Sequence, residues 1–393
     1  MSSAAPSLRL ASAAAPANPW PVSVRLCLLP ALAAAAWHVL LLAGYLLPFG
    51  GDPSVLVCTA KGSAGRWPYE AISIGFGRDG FDGQFYYALA RNPWRLHGEP
   101  LDRPAYRHAR LLYPALAWLL SGGGDPVRLL LALPALNVLA AAGLAWLGTL
   151  LAIRHGRSAW WGFLLPLVVN VALPAMRDLT DPLAALTACG LLTAWLLRWR
   201  AWVVFAWAAA AMLAREQNAV VVLVVLAATL CHRRWRTAAG LVASLLLLVG
   251  WFAVLTVAYG SAPFGSDNVG LPFAGMLDHW VRPDGFASTR ARAGQALGML
   301  TLGVQMGLCV ATAFFRANRS VKLLALAGAL LAVVAGPAVY GDEWSYLRVF
   351  YWMPLGVWVG SITSGLRWPV ILLSPVVVWP CLMVERALRV WLK

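Results

Sequence analysis

Long apolar runs separated by short polar segments dominate the pattern of this chain. A helix needs about 20 apolar residues to cross about 30 Å of hydrocarbon. Eight runs are of roughly that length, and three shorter runs carry no charged residue. One crossing per run predicts about eleven transmembrane helices in a single all-α domain over residues 1–393. The runs lie at 24–47, 126–152, 159–176, 183–197, 201–214, 219–231, 237–260, 296–315, 323–340, 349–364 and 368–384.

Composition supports a polytopic membrane protein. The chain is 61% hydrophobic and 12% charged, against about 45–50% and about 25% in soluble domains. Its mean hydropathy is +0.70. A soluble enzyme could not bury this much apolar surface, and a disordered segment would leave it exposed to water. Both classes of protein are therefore excluded. The six cysteines show no paired spacing, which argues against a disulfide framework and a zinc site.

The charges predict an orientation. With the N-terminus in the cytoplasm, the cytoplasmic segments hold thirteen basic residues and no carboxylate, as the positive-inside rule expects. Topology therefore explains part of the net charge of +15, and we do not expect nucleic acid as a partner. If residues 201–231 formed one helix, every later loop would lie on the opposite side of the membrane from the one that its charges favour. We therefore predict two short helices there. Two external loops follow, at 48–125 and 261–295.

The first external loop contains the densest polar motif, GRDGFDGQFYYALARNPW at residues 77–94. Asp79 and Asp82 each precede a glycine, a common turn signal. Residues 84–91 are expected to form a helix with Asp82 at or near its N-cap. Two interpretations stay open. The aspartates only shape turns and cap the helix, or one of them is a general base held at the membrane surface.

Arginines recur after this motif. Arg103, Arg107 and Arg110 are spaced by four and three residues, so they share one face if the segment is helical. Such a face either binds a phosphate or extends its side chains to lipid headgroups.

A third polar cluster, Arg215 and Glu216, lies between the short helices 201–214 and 219–231. Fourteen helical residues rise about 21 Å, so their shared turn should be recessed below the outer surface. Ionisable residues at such depth usually mark a functional site, although an internal ion pair is the alternative. The other outer charges expected to converge here are Arg177, Asp178, Glu343 and Arg348.

The strings FDGQFYYALARNPW at 81–94 and RPAYRHARLLYPALAWLL at 103–120 resemble bacterial polytopic proteins of cell-surface glycopolymer formation. These look like glycosyltransferases of the GT-C superfamily. The resemblance implies transfer of a sugar from a polyprenyl phosphate to a glycan or glycolipid, on the extracytoplasmic side of the bacterial inner membrane. It places the catalytic aspartate in the first external loop, where Asp82 fits best and Asp79 second.

In that reading Asp82 takes the proton of an acceptor hydroxyl, and the lone base suggests inversion at the anomeric carbon. Arginines at 107, 110, 215 and 348 would stabilise the departing phosphate, while Gln84, Tyr86 and Tyr87 would contact the sugar. No cofactor is expected, and a divalent ion at Asp79 and Asp82 has only weak support. The alternatives are a transporter or flippase of lipid-linked glycans, and a non-catalytic subunit of an assembly complex.

Overall fold

A computed structural model describes residues 24–98, 100–264, 266–281, 289–341 and 343–368. Over these ranges the chain is helical, and the only β contact is an isolated bridge between Val269 and Ala335. The all-α prediction is thus confirmed for the described residues. The helices are α1 (Val24–Leu46), α2 (Ser54–Val57), α3 (Gly83–Arg91), α4 (Pro104–His108), α5 (Leu112–Leu120), α6 (Pro126–Arg154), α7 (Leu164–Leu167), α8 (Val169–Ala175), α9 (Asp181–Leu196), α10 (Ala201–Ala214), α11 (Ala219–Cys231), α12 (Trp235–Tyr259), α13 (Ala274–Val281), α14 (Thr289–Thr312), α15 (Arg319–Val334), α16 (Glu343–Val349) and α17 (Trp352–Ser364).

Four described segments are long and apolar enough to cross a membrane: Arg25–Phe49, Pro126–Arg154, Trp235–Tyr259 and Gly294–Thr312. The chain therefore has the helices of a membrane protein, while the count of eleven crossings stays a prediction. Two of the short runs appear as α10 and α11, separated by the 3-10 turn Glu216–Asn218. The last predicted run, 368–384, lies beyond Trp368 outside the described residues.

The run at 159–176 is not one helix, contrary to expectation. It forms a 3-10 turn at Ala159–Trp161, then α7 and α8, with extended backbone at Val168 (φ −64°, ψ 145°) between them. Pro166 and Pro174 would both lie inside a continuous helix, where each removes a backbone donor. The break lets both prolines sit in short segments instead.

Helix α6 is the central element and packs against α1, α5 and α9. Asp125 caps its N-terminus, because the Asp125 side chain accepts hydrogen bonds from the backbone N–H groups of Val127 (3.1 Å) and Arg128 (2.8 Å). Midway along it, Asn137 donates to the Tyr113 hydroxyl of α5 at 3.0 Å. Asn137 therefore joins two helices, as expected for a polar residue within an apolar run.

The segment predicted to be the first external loop, residues 48–125, folds back onto this bundle. The predicted helix at 84–91 is present as α3, which packs against α5, α6 and α2. The predicted single arginine face over 103–110 is wrong. Helix α4 ends at His108 and α5 begins at Leu112, so Arg103 precedes one helix and Arg110 lies between two. Each of the three arginines consequently meets a different partner.

Candidate functional site

Two glycines allow the segment around Asp82 to approach the rest of the protein. Gly80 has φ +67°, a left-handed conformation that favours glycine. A Cβ built on Gly83 would lie 2.4 Å from the backbone oxygen of Arg177 and 2.8 Å from that of Val57. Only a residue without a side chain fits there, so the start of α3 is held directly against the turn that follows α8.

Asp82 sits at the N-cap position of α3, yet its side chain makes no capping hydrogen bond. Its carboxylate is bound by two guanidinium groups instead. Oδ1 lies 3.0 Å from Nη1 of Arg107, and Oδ2 accepts a hydrogen bond from Nη2 of Arg348. The interpretation of Asp82 as only a helix cap therefore does not describe its side chain.

Arg107 is fixed by a second carboxylate. Its Nε and Nη2 each donate to Asp102 at 2.8 Å, a bidentate geometry that guanidinium and carboxylate favour. Its guanidinium carbon also lies 4.3 Å from the centroid of the Phe85 ring. These contacts thus form a row of alternating negative and positive side chains, in the order Asp102, Arg107, Asp82 and Arg348.

Burial alone would raise the pKa of Asp82, but the guanidiniums of Arg348 and Arg107 outweigh it. The pKa of Asp82 consequently lies well below its ordinary value. In this arrangement Asp82 is a carboxylate at neutral pH with both oxygens occupied, and it is a weak base until one arginine is withdrawn.

Arg110 links the first external loop to the turn between α10 and α11. Its Nε and Nη2 donate to the two oxygens of Glu216 at 3.0 and 2.9 Å. Its remaining bonds go to the hydroxyls of Tyr86 (2.8 Å) and Tyr106 (2.5 Å). Only 1% of the Arg110 side chain is exposed. Arg110 therefore forms a buried ion pair with Glu216 and is not accessible to a phosphate.

Arg215 is likewise buried, with 2% of its side chain exposed, and it pairs with Asp181 at the start of α9. The same turn is anchored by Asn218, which accepts from the Tyr351 hydroxyl at 2.8 Å and donates to Ala211 and Ala184. The expected turn between the two short helices exists, but Arg215 and Glu216 have separate partners; its depth below the outer surface stays a prediction.

Arg177 and Asp178 lie in the turn between α8 and α9, beside the start of α3. The guanidinium carbon of Arg177 is 3.9 Å from the centroid of the Phe81 ring, a cation–π contact. Asp178 is fully buried, and within the described chain its carboxylate oxygens have no hydrogen-bond partner. Burial raises the pKa of Asp178 well above its ordinary value, which favours its neutral form.

Several predicted ligands have other roles. Gln84 is buried, donates to the backbone oxygen of Asp79 (2.8 Å) and accepts from Ala60 N, which ties the turn to α3. Tyr86 and Tyr87 are fully buried. Tyr86 accepts from Arg110, and Tyr87 donates to Pro126 O at 2.9 Å. Their predicted contact with a sugar does not fit this burial.

The remaining predicted residues are exposed or have side chains outside the described residues. Arg103 makes an exposed pair with Asp267 at 3.2 Å. Asp79 is exposed in its turn. Glu343 begins α16, but its side chain is outside the described residues.

Two cavities flank this charged network. The first, which we call the polar cavity, has about 230 Å³ and is lined by Gly80, Phe81, Asp82, Leu173, Pro174, Arg177, Leu179, Ser345 and Arg348. The second, the apolar cavity, also has about 230 Å³, and its lining includes Tyr106, Glu216, Val220, Phe264, Leu331, Val334, Val349, Phe350 and Trp352. Arg348 lines the polar cavity, and Val349 and Phe350, which follow it in the chain, line the apolar cavity.

A divalent ion at Asp82 is disfavoured because Arg107 and Arg348 already occupy its oxygens with positive charge. Within the described ranges no group of three or more His, Cys, Asp or Glu residues is placed to hold a metal ion.

Phe81, Asp102 and Ser345 belong to the site but were not predicted from the sequence. The position of Asp102 five residues before Arg107 was the only available signal. No family model, no curated protein and no solved structure matches this chain.

Proposed function

We propose that this protein is a membrane glycosyltransferase that moves a sugar from a polyprenyl phosphate to a glycan or glycolipid acceptor, with Asp82 as general base. One observation carries the proposal. The Asp82 carboxylate does not cap its helix, and two arginines hold it at the edge of a cavity instead. The resemblance of residues 79–120 to GT-C enzymes supplies the reaction class.

The proposal includes the predicted topology. Eleven crossings with a cytoplasmic N-terminus put the first external loop and its aspartate on the extracytoplasmic side of a bacterial inner membrane. The support is the distribution of thirteen basic residues among the predicted cytoplasmic segments and the four helices long enough to span.

The apolar cavity suits the lipid tail of the donor, because nearly all of its wall is aliphatic or aromatic. A phosphate at the head of that tail would bind Arg348, which directly precedes Val349 and Phe350 of the apolar cavity. Arg348 and Arg107 therefore replace Arg110 and Arg215 as the phosphate-binding residues, since the latter two are buried in their own ion pairs.

Catalysis requires that at least one carboxylate oxygen of Asp82 is released from its arginine. A donor phosphate competes for Arg348, which frees Oδ2 and raises the pKa of Asp82 toward the range of a useful base. The acceptor O–H then gives its proton to Oδ2, and its oxygen bonds to the anomeric carbon. The bond from that carbon to the phosphate oxygen breaks, and polyprenyl phosphate leaves as the anion. A single attack from the opposite face inverts the anomeric centre.

The competing functions are distinguished in part by the cavity. A non-catalytic subunit is expected to have no enclosed space beside Asp82, whereas the polar cavity borders its carboxylate. A transporter requires a continuous polar path across the membrane, and the observed charges instead cluster around one site.

The test is release of undecaprenyl phosphate from undecaprenyl-phosphate sugars in proteoliposomes that contain the full chain and a bacterial envelope glycan extract. Asp82→Asn should lower the rate at least about 100-fold in a protein that still folds and unfolds in a cooperative thermal transition. Asp79→Asn, in the same loop but exposed, should retain the wild-type rate. Full activity of Asp82→Asn would remove the proposed base and the enzyme proposal with it.

A further inference from the structure

Part of the predicted second external loop carries apolar side chains on its outside. Over residues 264–281, described except at position 265, seven large apolar side chains are exposed, among them Leu271 at 77% and Val281 at 72%. The sequence of this segment contains no Lys or Arg, and its only carboxylates are Asp267 and Asp278. A contiguous apolar surface of this kind marks contact with a partner or a membrane.

Helix α13 shows which way this surface points. Its buried positions, Gly275 and His279, are four residues apart and share one face. A Cβ built on Gly275 would lie 2.6 Å from the backbone oxygen of Ala335, so this face packs closely on the end of α15. The exposed large side chains lie on the opposite face, spaced by three and four residues: Leu277, Trp280 and Val281. The helix therefore turns its apolar face away from the protein, the reverse of a surface helix in a soluble protein.

Backbone hydrogen bonds fix the segment to the end of α15. Gly270 N donates to Val334 O at 2.8 Å, and Phe273 N donates to Val333 O at 2.7 Å. The last carbonyls of a helix have no partner within it, so the segment supplies donors that the end of α15 needs. The apolar side chains are thus held outward by an anchored backbone.

The apolar surface continues that of a helix long enough to span a membrane. Helix α12 is such a helix and ends at Tyr259. Val257 in its last turn is 86% exposed. The Phe264 ring packs against Phe252 of α12 with their centroids 5.2 Å apart. A helix of 25 residues rises about 37 Å, more than the about 30 Å of hydrocarbon, so the segment begins where α12 reaches the membrane interface.

We propose that residues 264–281 lie in the interface of the bilayer, with the exposed face of α13 among the acyl chains, and that lipid is the partner of this surface. Trp280 suits this depth, because tryptophan is enriched where hydrocarbon meets headgroups. Asp267 pairs with Arg103 at 3.2 Å, which gives the segment a polar edge for the headgroup side. Buried apolar area drives the attachment, since the segment has no Lys or Arg to attract anionic lipid.

The same segment forms part of the apolar cavity, whose lining includes Phe264 and Val269. Both side chains are also 65% exposed, so they separate the cavity from the surroundings of the protein. With the segment in the interface, this wall of the cavity borders lipid and not water. The inference does not require the proposed reaction and stands or falls separately from it.

Collisional quenching tests the depth of the segment, with the full chain in phosphatidylcholine nanodiscs. The fluorescent amino acid dansylalanine replaces one residue at a time, Leu277 or Trp280, both exposed. A nitroxide on the lipid acyl chain quenches a probe in the bilayer, and aqueous iodide quenches a probe in water. Both probes should give a nitroxide-to-iodide quenching ratio close to that of a probe at Val257. The ratio should be severalfold higher than that of a probe at Lys61, an exposed residue of the first loop.

Two results would overturn the proposal. Iodide quenching at positions 277 and 280 as strong as at Lys61 would place the segment in water. Weak quenching by both agents would mean that protein, from this chain or from a second copy, covers the surface.

The lipid composition tests the driving force. Adding phosphatidylglycerol to the nanodiscs should leave the quenching ratios at positions 277 and 280 unchanged, because the segment offers no cationic side chain to an anionic headgroup. Nitroxide quenching that requires phosphatidylglycerol would show that charge attaches the segment and would contradict an attachment through apolar area.

Discussion

At the scale of single residues, the site is an arrangement of paired charges in which each pair has a different consequence. Asp82 shares two arginines, Arg107 and Arg348, and both Asp82 and Arg348 line the polar cavity. Arg110 with Glu216, and Arg215 with Asp181, are closed pairs in which both partners are largely buried. Removing one member of such a pair leaves an uncompensated buried charge, which costs about 3–5 kcal/mol.

Asp178 gives a prediction about pH. Its folded pKa is raised by burial, so its contribution to stability is fully present below the unfolded pKa of about 3.9. That contribution is lost as pH rises toward the folded pKa, by up to about 1.4 kcal/mol per pH unit. Asp178→Asn removes the penalty, so the melting temperature of the variant relative to wild type should rise between pH 5 and pH 8.

Thermal unfolding in detergent at several pH values measures this difference, and Asp79→Asn is the exposed control that should show none. A constant offset between Asp178→Asn and wild type across this range would mean that Asp178 is ionised in the folded protein.

At the scale of elements, the start of α3 depends on a close approach that only glycine permits. Gly83→Ala places a Cβ within 2.4 Å of the Arg177 oxygen, and backbone must move to accept it. Such overpacking typically costs about 1–3 kcal/mol, and here it also shifts Asp82 relative to Arg348. We expect a lower melting temperature and a reduced transfer rate.

Gly250→Ala in α12 is the matched control. Nothing lies within 4 Å of its Cβ position, and alanine favours the helix by about 1 kcal/mol. This variant should melt at or above the wild-type temperature with full activity. Equal melting of Gly83→Ala and Gly250→Ala would show that the α3 contact is not tight.

The apolar pattern predicts helices well where the run is long. The runs at 126–152 and 237–260 appear as α6 and α12 within two residues, since burial and helix periodicity act in the same direction there. The run at 159–176 fails at Val168, whose extended backbone separates α7 from α8, and hydrophobicity does not register such a break. A proline alone does not explain it, since Pro134 lies inside the unbroken α6. The arginine segment 103–110 fails because a spacing rule assumes a helix that is longer than five residues.

The site could be predicted only in part for a related reason. Asp82 and its helix follow from local signals, the Asp-Gly turn and the apolar residues after it. The pairing of Asp82 with Arg348 joins residues 266 positions apart, and no local pattern contains that contact. The buried roles of Tyr86 and Tyr87 also depend on how the loop folds back onto α6.

At the scale of the whole molecule, consecutive residues of one segment line two cavities of different character, Arg348 the polar one and Val349 and Phe350 the apolar one. Under the proposed function, the apolar cavity would hold the lipid tail and the polar cavity the sugar acceptor, which have opposite solvation needs. Helix α16 is the divider, because Arg348 faces Asp82 and the next residues line the apolar side.

The central claim is that a lipid phosphate binds at Arg348 and frees the Asp82 carboxylate. The most direct measurement is a cryo-electron microscopy structure of the full chain in nanodiscs with undecaprenyl phosphate. We predict the lipid tail in the apolar cavity, its phosphate within hydrogen-bond distance of Arg348, and Oδ2 of Asp82 released into the polar cavity. A phosphate bound elsewhere, with the Asp82–Arg348 pair intact, would contradict the account.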